Sequence, residues 1–160
     1  MRIKVSKGRG GFVSTFFSCL LPLMLVVLAI GVDALRVLVL KHTLQSAADA
    51  ASLAAVSAVS VKQVTGGSGF REVLVLDPAA ADIYAGDVFR QNERDNHFKK
   101  QGIDVTGFSG NSLDTNGDGL PDSYRMEVRA NIESFLFGPL TGRGSEMKVV
   151  RVSQTKVEFD

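Results

Sequence analysis

The chain has 160 residues, a formal net charge of +1 and 22% charged residues, so it has room for one long apolar segment and one modest domain. Beyond the first eleven residues the basic and acidic side chains are interleaved, which excludes a basic stripe for nucleic acid. The single cysteine, Cys19, lies in an apolar run, so no intramolecular disulfide can form. We find no glycine-rich phosphate loop and no hydrolase nucleophile motif, and we expect neither catalysis nor a small-molecule substrate.

Residues 12–32 carry no charge and follow a leader, residues 1–11, that is basic and contains no acid. A helix of this length is about 30 Å long, which matches the hydrocarbon thickness of a bilayer. The pattern predicts a transmembrane helix that contacts membrane lipid, with a cytoplasmic N-terminus and an exported remainder. A cleaved signal peptide is the alternative, but its apolar region is usually only about 7–15 residues long.

No proline interrupts the chain between residues 33 and 62, and we expect the helix to continue through this exported extension. Small and apolar residues recur there at steps of three and four, which predicts one packed face. Such a face could pack closely against a neighbouring helix or sheet, or the alanines could simply favour helix. Asp33, just past the apolar span, could be an interfacial residue or could dock on a partner. The predicted assembly interface comprises Asp33, Leu40, Leu44, Ala47, Ala51, Ala54 and Ala58.

Four sequence features together resemble the TadE/TadG-like group of Flp (tight-adherence) pilus assembly proteins. They are Gly10-Gly11, Leu21-Pro22, Gly31-Val32-Asp33 and the run Leu-Gln-Ser-Ala-Ala-Asp-Ala-Ala-Ser-Leu-Ala at 44–54. The resemblance covers about residues 8–56. It implies a bacterial inner-membrane, pseudopilin-like component whose partners are other pilus or secretion-machine subunits, with self-association through the N-terminal helix.

The sequence departs from processed pilins at Phe16. Cleavage after Gly11 would place Phe16 at the fifth mature position, where prepilin processing looks for glutamate. We therefore expect the leader to be retained, as in TadG-like members.

The remainder predicts an α+β domain over residues 70–160, separated from the helix by a Gly/Ser hinge at 63–69. We expect a small antiparallel sheet with a helix against it, and the long N-terminal helix as a further cover. The connection at 133–142 is apolar enough to cap the core, or it could expose a contact patch at Phe135, Leu136 and Phe137. The predicted elements are strands 70–76, 103–108, 123–132 and 147–159, the last with a bulge at 153–155, and a helix at 79–101.

The loop at 114–122 has the composition of a calcium loop, because oxygen-bearing side chains alternate around a glycine turn. It resembles the loops of EF-hands, dockerins and thrombospondin type 3 repeats, but Arg125 stands where an EF-hand supplies its bidentate glutamate. The alternative is an Asn/Asp/Gly turn without metal. The predicted Ca²⁺ ligands are Asp114, Asn116, Asp118, the Leu120 carbonyl and Asp122.

These features predict a single-pass structural component of pilus or secretion-machine assembly. The alternative is a membrane-tethered extracellular domain that binds calcium and recognises a ligand.

Overall fold

A computed structural model describes residues 10–66, 69–136 and 146–157. The chain begins with a 47-residue helix, α1, and continues as a hairpin, two helices and three strands. The elements are α1 (Gly10–Val56), β1 (Val59–Gly66), β2 (Gly69–Leu76), α2 (Pro78–Asp95), α3 (Phe98–Gln101), β3 (Ile103–Leu113), β4 (Ser123–Glu133) and β5 (Glu146–Lys156).

The fold class is α+β, which confirms the prediction. Strands β3, β4 and β5 form one antiparallel sheet in that order, and β1 and β2 form a separate two-stranded hairpin. α1 lies over β4 and β5, and α2 lies beside α1 over β3. Both helices therefore cover the same face of the sheet.

The two halves of α1 have different surroundings. Between Phe16 and Val32 most of its large apolar side chains are exposed, for example Leu28 at 65%. From Asp33 onward one side of the helix is buried, with Leu44 fully enclosed. α1 contains the described chain's one stretch that is long and apolar enough to cross a membrane, with a mean hydropathy of 2.5.

α1 ends at Val56, six residues before the predicted end at 62, because the valines that follow pair in the hairpin. Val59 lies opposite Leu76 and Val61 opposite Leu74. β-Branched residues fit this pleated arrangement well. The predicted hinge at 63–69 is also corrected, since Gly66 and Gly69 are opposite one another in the hairpin. Residues 67–68 lie outside the described chain.

The inward face of β4 supplies the centre of the core, and its alternation was predicted correctly. Tyr124, Met126, Val128, Ala130 and Ile132 are all buried, whereas Arg125 and Arg129 are exposed. Phe89 of α2 and Phe98 of α3 complete this core, with their ring centroids 6.4 Å apart.

α2 begins where Asp77 caps its first turn, accepting hydrogen bonds from the Ala79 and Ala80 amides at 3.0 and 3.3 Å. The predicted helix 79–101 is divided in two at Asn96–His97, where His97 adopts a left-handed backbone conformation with φ of 50°. α2 therefore ends at Asp95, and the short α3 follows.

The predicted bulge in the last strand is wrong. β5 pairs with β4 without interruption, and the sheet's register shift lies in β3 between Val105 and Gly107. The change of apolar phase in β5 has another cause, because Ser153 faces inward and contacts the Ser52 hydroxyl at 2.8 Å. Ser52 also contacts the Thr155 hydroxyl at 2.8 Å. This polar cluster joins α1 to the sheet. A search for alternating apolar residues does not detect it, because its inward-facing residues are polar.

Candidate functional site

Asp33 joins α1 to the exported domain. Its carboxylate accepts hydrogen bonds from the Ser134 hydroxyl at 2.7 Å and from the Phe135 and Leu136 amides at 3.2 and 3.1 Å. The residue is only 4% exposed. A buried carboxylate is costly unless hydrogen-bond donors surround it, and here the loop after β4 provides them. The structure thus assigns Asp33 to a contact within the chain.

Arg36 lies one helical turn beyond Asp33 and holds two further elements. Its Nη2 donates to the Gln101 carbonyl of α3 at 2.9 Å, and its guanidinium lies 4.3 Å from the centroid of the Phe135 ring. A cation above an aromatic face at this distance is attracted by the ring. We call Asp33, Arg36, Gln101, Ser134 and Phe135 the junction.

Gly102 allows the junction to close. Its φ of +85° favours glycine, and an added Cβ would lie 3.2 Å from Arg36 Nη2 and 3.4 Å from the Glu133 Cβ. The Gly102 carbonyl also accepts the Glu133 amide at 2.9 Å. α3 and the end of β4 are therefore held together beside the point where α1 becomes buried.

The stripe predicted as an assembly interface lies inside the chain's own fold. α2, β4 and β5 cover it, and the small side chains let these elements approach α1 closely. In the described residues the stripe is therefore packed against the protein's own domain, and its use as an interface between subunits stays a prediction. Leu40, Leu44, Ala47, Ala51 and Ala58 are at most 5% exposed, Ala54 is half-buried, and Asp33 belongs to the junction.

The outward side of α1 beyond the span was not singled out from the sequence. Leu35, Val39 and Leu53 are between 61% and 64% exposed. In the sequence these apolar residues fall between the positions of the buried stripe, and this pattern could have identified a second apolar side of the helix. Among the described residues, this side and the apolar half of the helix are the parts of α1 with the most exposed apolar side chains.

The loop at 114–122 closes on itself through hydrogen bonds. Asp114 accepts the Gly117 and Gly119 amides at 2.7 and 2.8 Å, and Asp118 accepts the Leu120 amide at 2.8 Å. The Asn116 amide nitrogen donates to Asp118 at 3.0 Å. Three of the predicted ligands, Asp114, Asn116 and Asp118, are thus brought together on an exposed turn.

Asp122 belongs to a different set of contacts. It is buried and accepts the Thr115 amide at 2.8 Å and the Thr115 hydroxyl at 2.7 Å, and Lys156 lies 3.5 Å away. Burial acts to raise the pKa of Asp122, but the Thr115 hydrogen bonds and the Lys156 charge outweigh it and lower the pKa. Asp122 is thus engaged by Thr115 and Lys156, although it lines one cavity together with Asn116, Asp118 and Leu120. Among residues 10–66, 69–136 and 146–157, no three His, Cys, Asp or Glu side chains are close enough to hold a metal ion together.

Residues 10–58 match the model of the Flp pilus-assembly TadE/G-like family. The matched segment is α1 with the turn that follows it, and it includes both junction residues of the helix. The family resemblance inferred from the sequence is confirmed for this segment. Comparisons with curated proteins and with solved structures gave no match.

Proposed function

We propose that this protein is a single-pass membrane component of Flp-type pilus assembly, or of a related secretion machine, with a structural rather than a catalytic role. The observation that carries the proposal is the division of α1 at Asp33. The half before it is apolar and uncovered, and the half after it is the packing surface of the protein's own domain. The family match over residues 10–58 supports a place in pilus assembly.

The proposed orientation places the leader in the cytoplasm and the α+β domain outside the inner membrane. The leader contributes Arg2, Lys4, Lys7 and Arg9 without an acid, and positive flanks stay cytoplasmic. The hydrogen bonds of the junction would then fix the domain directly at the membrane exit of α1, so that helix and domain move together.

Contacts with other subunits, including other copies of this chain, would use the uncovered parts of α1. These are the lipid-facing half and the outward side marked by Leu35, Val39 and Leu53. The pseudopilin-like role thus needs no opening of the packed stripe.

Cell fractionation tests this proposal. Membranes and sheared filaments from the native cell are separated, and mass spectrometry locates the chain and its N-terminus. An anchored assembly factor gives intact leader peptides in the membrane fraction. A chain found only in the soluble exported fraction, cut within residues 12–32, contradicts the proposal.

The alternative function is that of a membrane-tethered calcium-binding domain. For this function we propose that the ion is held by Asp114, Asn116 and Asp118 with the Leu120 carbonyl. The support is the exposed turn that gathers these oxygens. With only two carboxylates we expect a Kd of roughly 1 mM, so that 10 mM calcium would stabilise the fold by about 1.4 kcal/mol.

Thermal unfolding of the full chain in calcium and in chelator measures this effect. Asp118→Asn keeps the acceptor for the Leu120 amide but removes the charge, so it should abolish the calcium-induced rise in Tm. An identical Tm for the wild type in both buffers contradicts calcium binding.

A further inference from the structure

We propose that the membrane-proximal end of the exported domain rests on the outer surface of the bilayer, with the Phe135 ring among the lipid headgroups. This inference rests on the membrane anchoring proposed above. It adds a second membrane contact, made by the domain itself, to the contact made by α1.

Phe135 lies level with the end of the uncharged run of α1. Its amide is bonded to Asp33, which is the first charged residue after the uncharged run 12–32. The headgroup layer on each side of the hydrocarbon is roughly 5–8 Å thick. With a helical rise of about 1.5 Å per residue, Asp33 and Arg36 both fall within this layer, and Phe135 lies against them.

The Phe135 ring is exposed although its backbone is fixed. The junction fixes the backbone of Phe135 and the Arg36 guanidinium lies over its ring, yet the residue is 66% exposed. The large apolar side chain is thus held in an exposed position at the level of the headgroup layer. Phenylalanine, like tryptophan and leucine, is one of the residues with which interfacial segments insert at the boundary between headgroups and acyl chains.

Charges of both signs lie near this end. Lys99 lines one cavity with Asp104, Glu133 and Glu146, and another with Lys100, Arg90, Arg94 and Glu93. The test therefore uses a zwitterionic bilayer, so that insertion of the ring is measured apart from charge attraction.

Phe70 provides a matched control, because it is even more exposed, at 77%, but lies in the hairpin that follows the far end of α1. Val56 is about 36 Å along the helix axis from Val32, so the hairpin cannot reach the same bilayer surface.

Tryptophan fluorescence tests the proposal directly, because the chain contains no tryptophan. Phe135→Trp, Phe70→Trp and Leu25→Trp are each made in the full chain and reconstituted in phosphatidylcholine vesicles, with and without brominated acyl chains. We expect strong quenching at position 25, clear quenching at position 135 and none at position 70.

The three positions distinguish a failure of the surface contact from a failure of the membrane anchor. Quenching at position 25 with position 135 as unquenched as position 70 overturns the surface contact and leaves the anchor intact. An unquenched position 25 overturns the anchoring itself, and the surface contact with it.

A spin label gives a second measurement that does not depend on accommodating tryptophan. Phe135→Cys in a Cys19→Ser background is labelled with a nitroxide in the same vesicles. Greater collision with oxygen than with a water-soluble nickel complex supports insertion, and the reverse order overturns it.

Discussion

Replacing Asp33 should release the loop after β4 from α1. In Asp33→Ala the buried hydrogen bond from the Ser134 hydroxyl to Asp33 is lost, which costs about 1–3 kcal/mol. The Phe135 and Leu136 amides are half-buried and can bond to water instead, so each should add less than about 1 kcal/mol. The loop should therefore open more easily by about 2–4 kcal/mol, while the sheet and α2 stay folded.

Amide hydrogen exchange of the full chain in detergent measures this opening. Because each 1.4 kcal/mol is a factor of ten, exchange at Phe135 and Leu136 should accelerate by roughly 30- to 1000-fold. Asp33→Asn keeps one acceptor oxygen and should give a smaller increase. Asp49→Ala is the control, since this exposed carboxylate on the same helix is bonded to the Gln45 side chain.

Unchanged protection at both amides in Asp33→Ala would refute the reasoning. It would mean that the loop is held on α1 by other contacts and that the Asp33 hydrogen bonds contribute no net stability. An equal acceleration in Asp49→Ala would show instead that any lost carboxylate on α1 loosens the domain.

Two further predictions concern the sheet and the loop at 114–122. Gly110→Ala should lower the free energy of unfolding by about 1–3 kcal/mol in urea, because the added methyl would overlap the Tyr124 hydroxyl; Gly107→Ala, whose methyl meets open space, should cost much less. Asp122→Asn should be less stable than the wild type at pH 7. Since the folded-state pKa of Asp122 is lowered, its contribution is present above the ordinary value of 3.8 and disappears as pH falls through the lower folded value. The two stability curves should converge below about pH 4, and a constant gap between them there would contradict the ionic role of Asp122.

Local sequence patterns correctly predicted those helices and strands whose structure depends mainly on their own residues. The alternation in β4 predicted both the strand and its buried face, because a period of two has no helical equivalent. The uncharged run before Asp33 similarly predicted the uncovered half of α1. The end of α1 could not be read in this way, because the valines after Val56 fit a helix or a strand until β2 is present to pair with them.

The sequence also predicted which face of α1 is packed but not what covers it. An alanine-rich stripe fits a second subunit as well as it fits the chain's own sheet, and only the tertiary structure distinguishes the two. Asp33 illustrates the same point, since it accepts a hydrogen bond from Ser134, about one hundred residues away. The polar contact between Ser52 and Ser153 is equally long-range, and it misled the interpretation of β5.

The central claim is that the protein serves pilus assembly as a membrane-anchored component. The most direct test is to delete its gene in the native cell and count surface pili by electron microscopy after complementation. We expect the wild-type chain to restore pili, and a chain in which a cleavable signal peptide replaces residues 1–32 to be exported without restoring them. Normal pilus numbers in the deletion strain, or full rescue by the unanchored chain, would contradict the account.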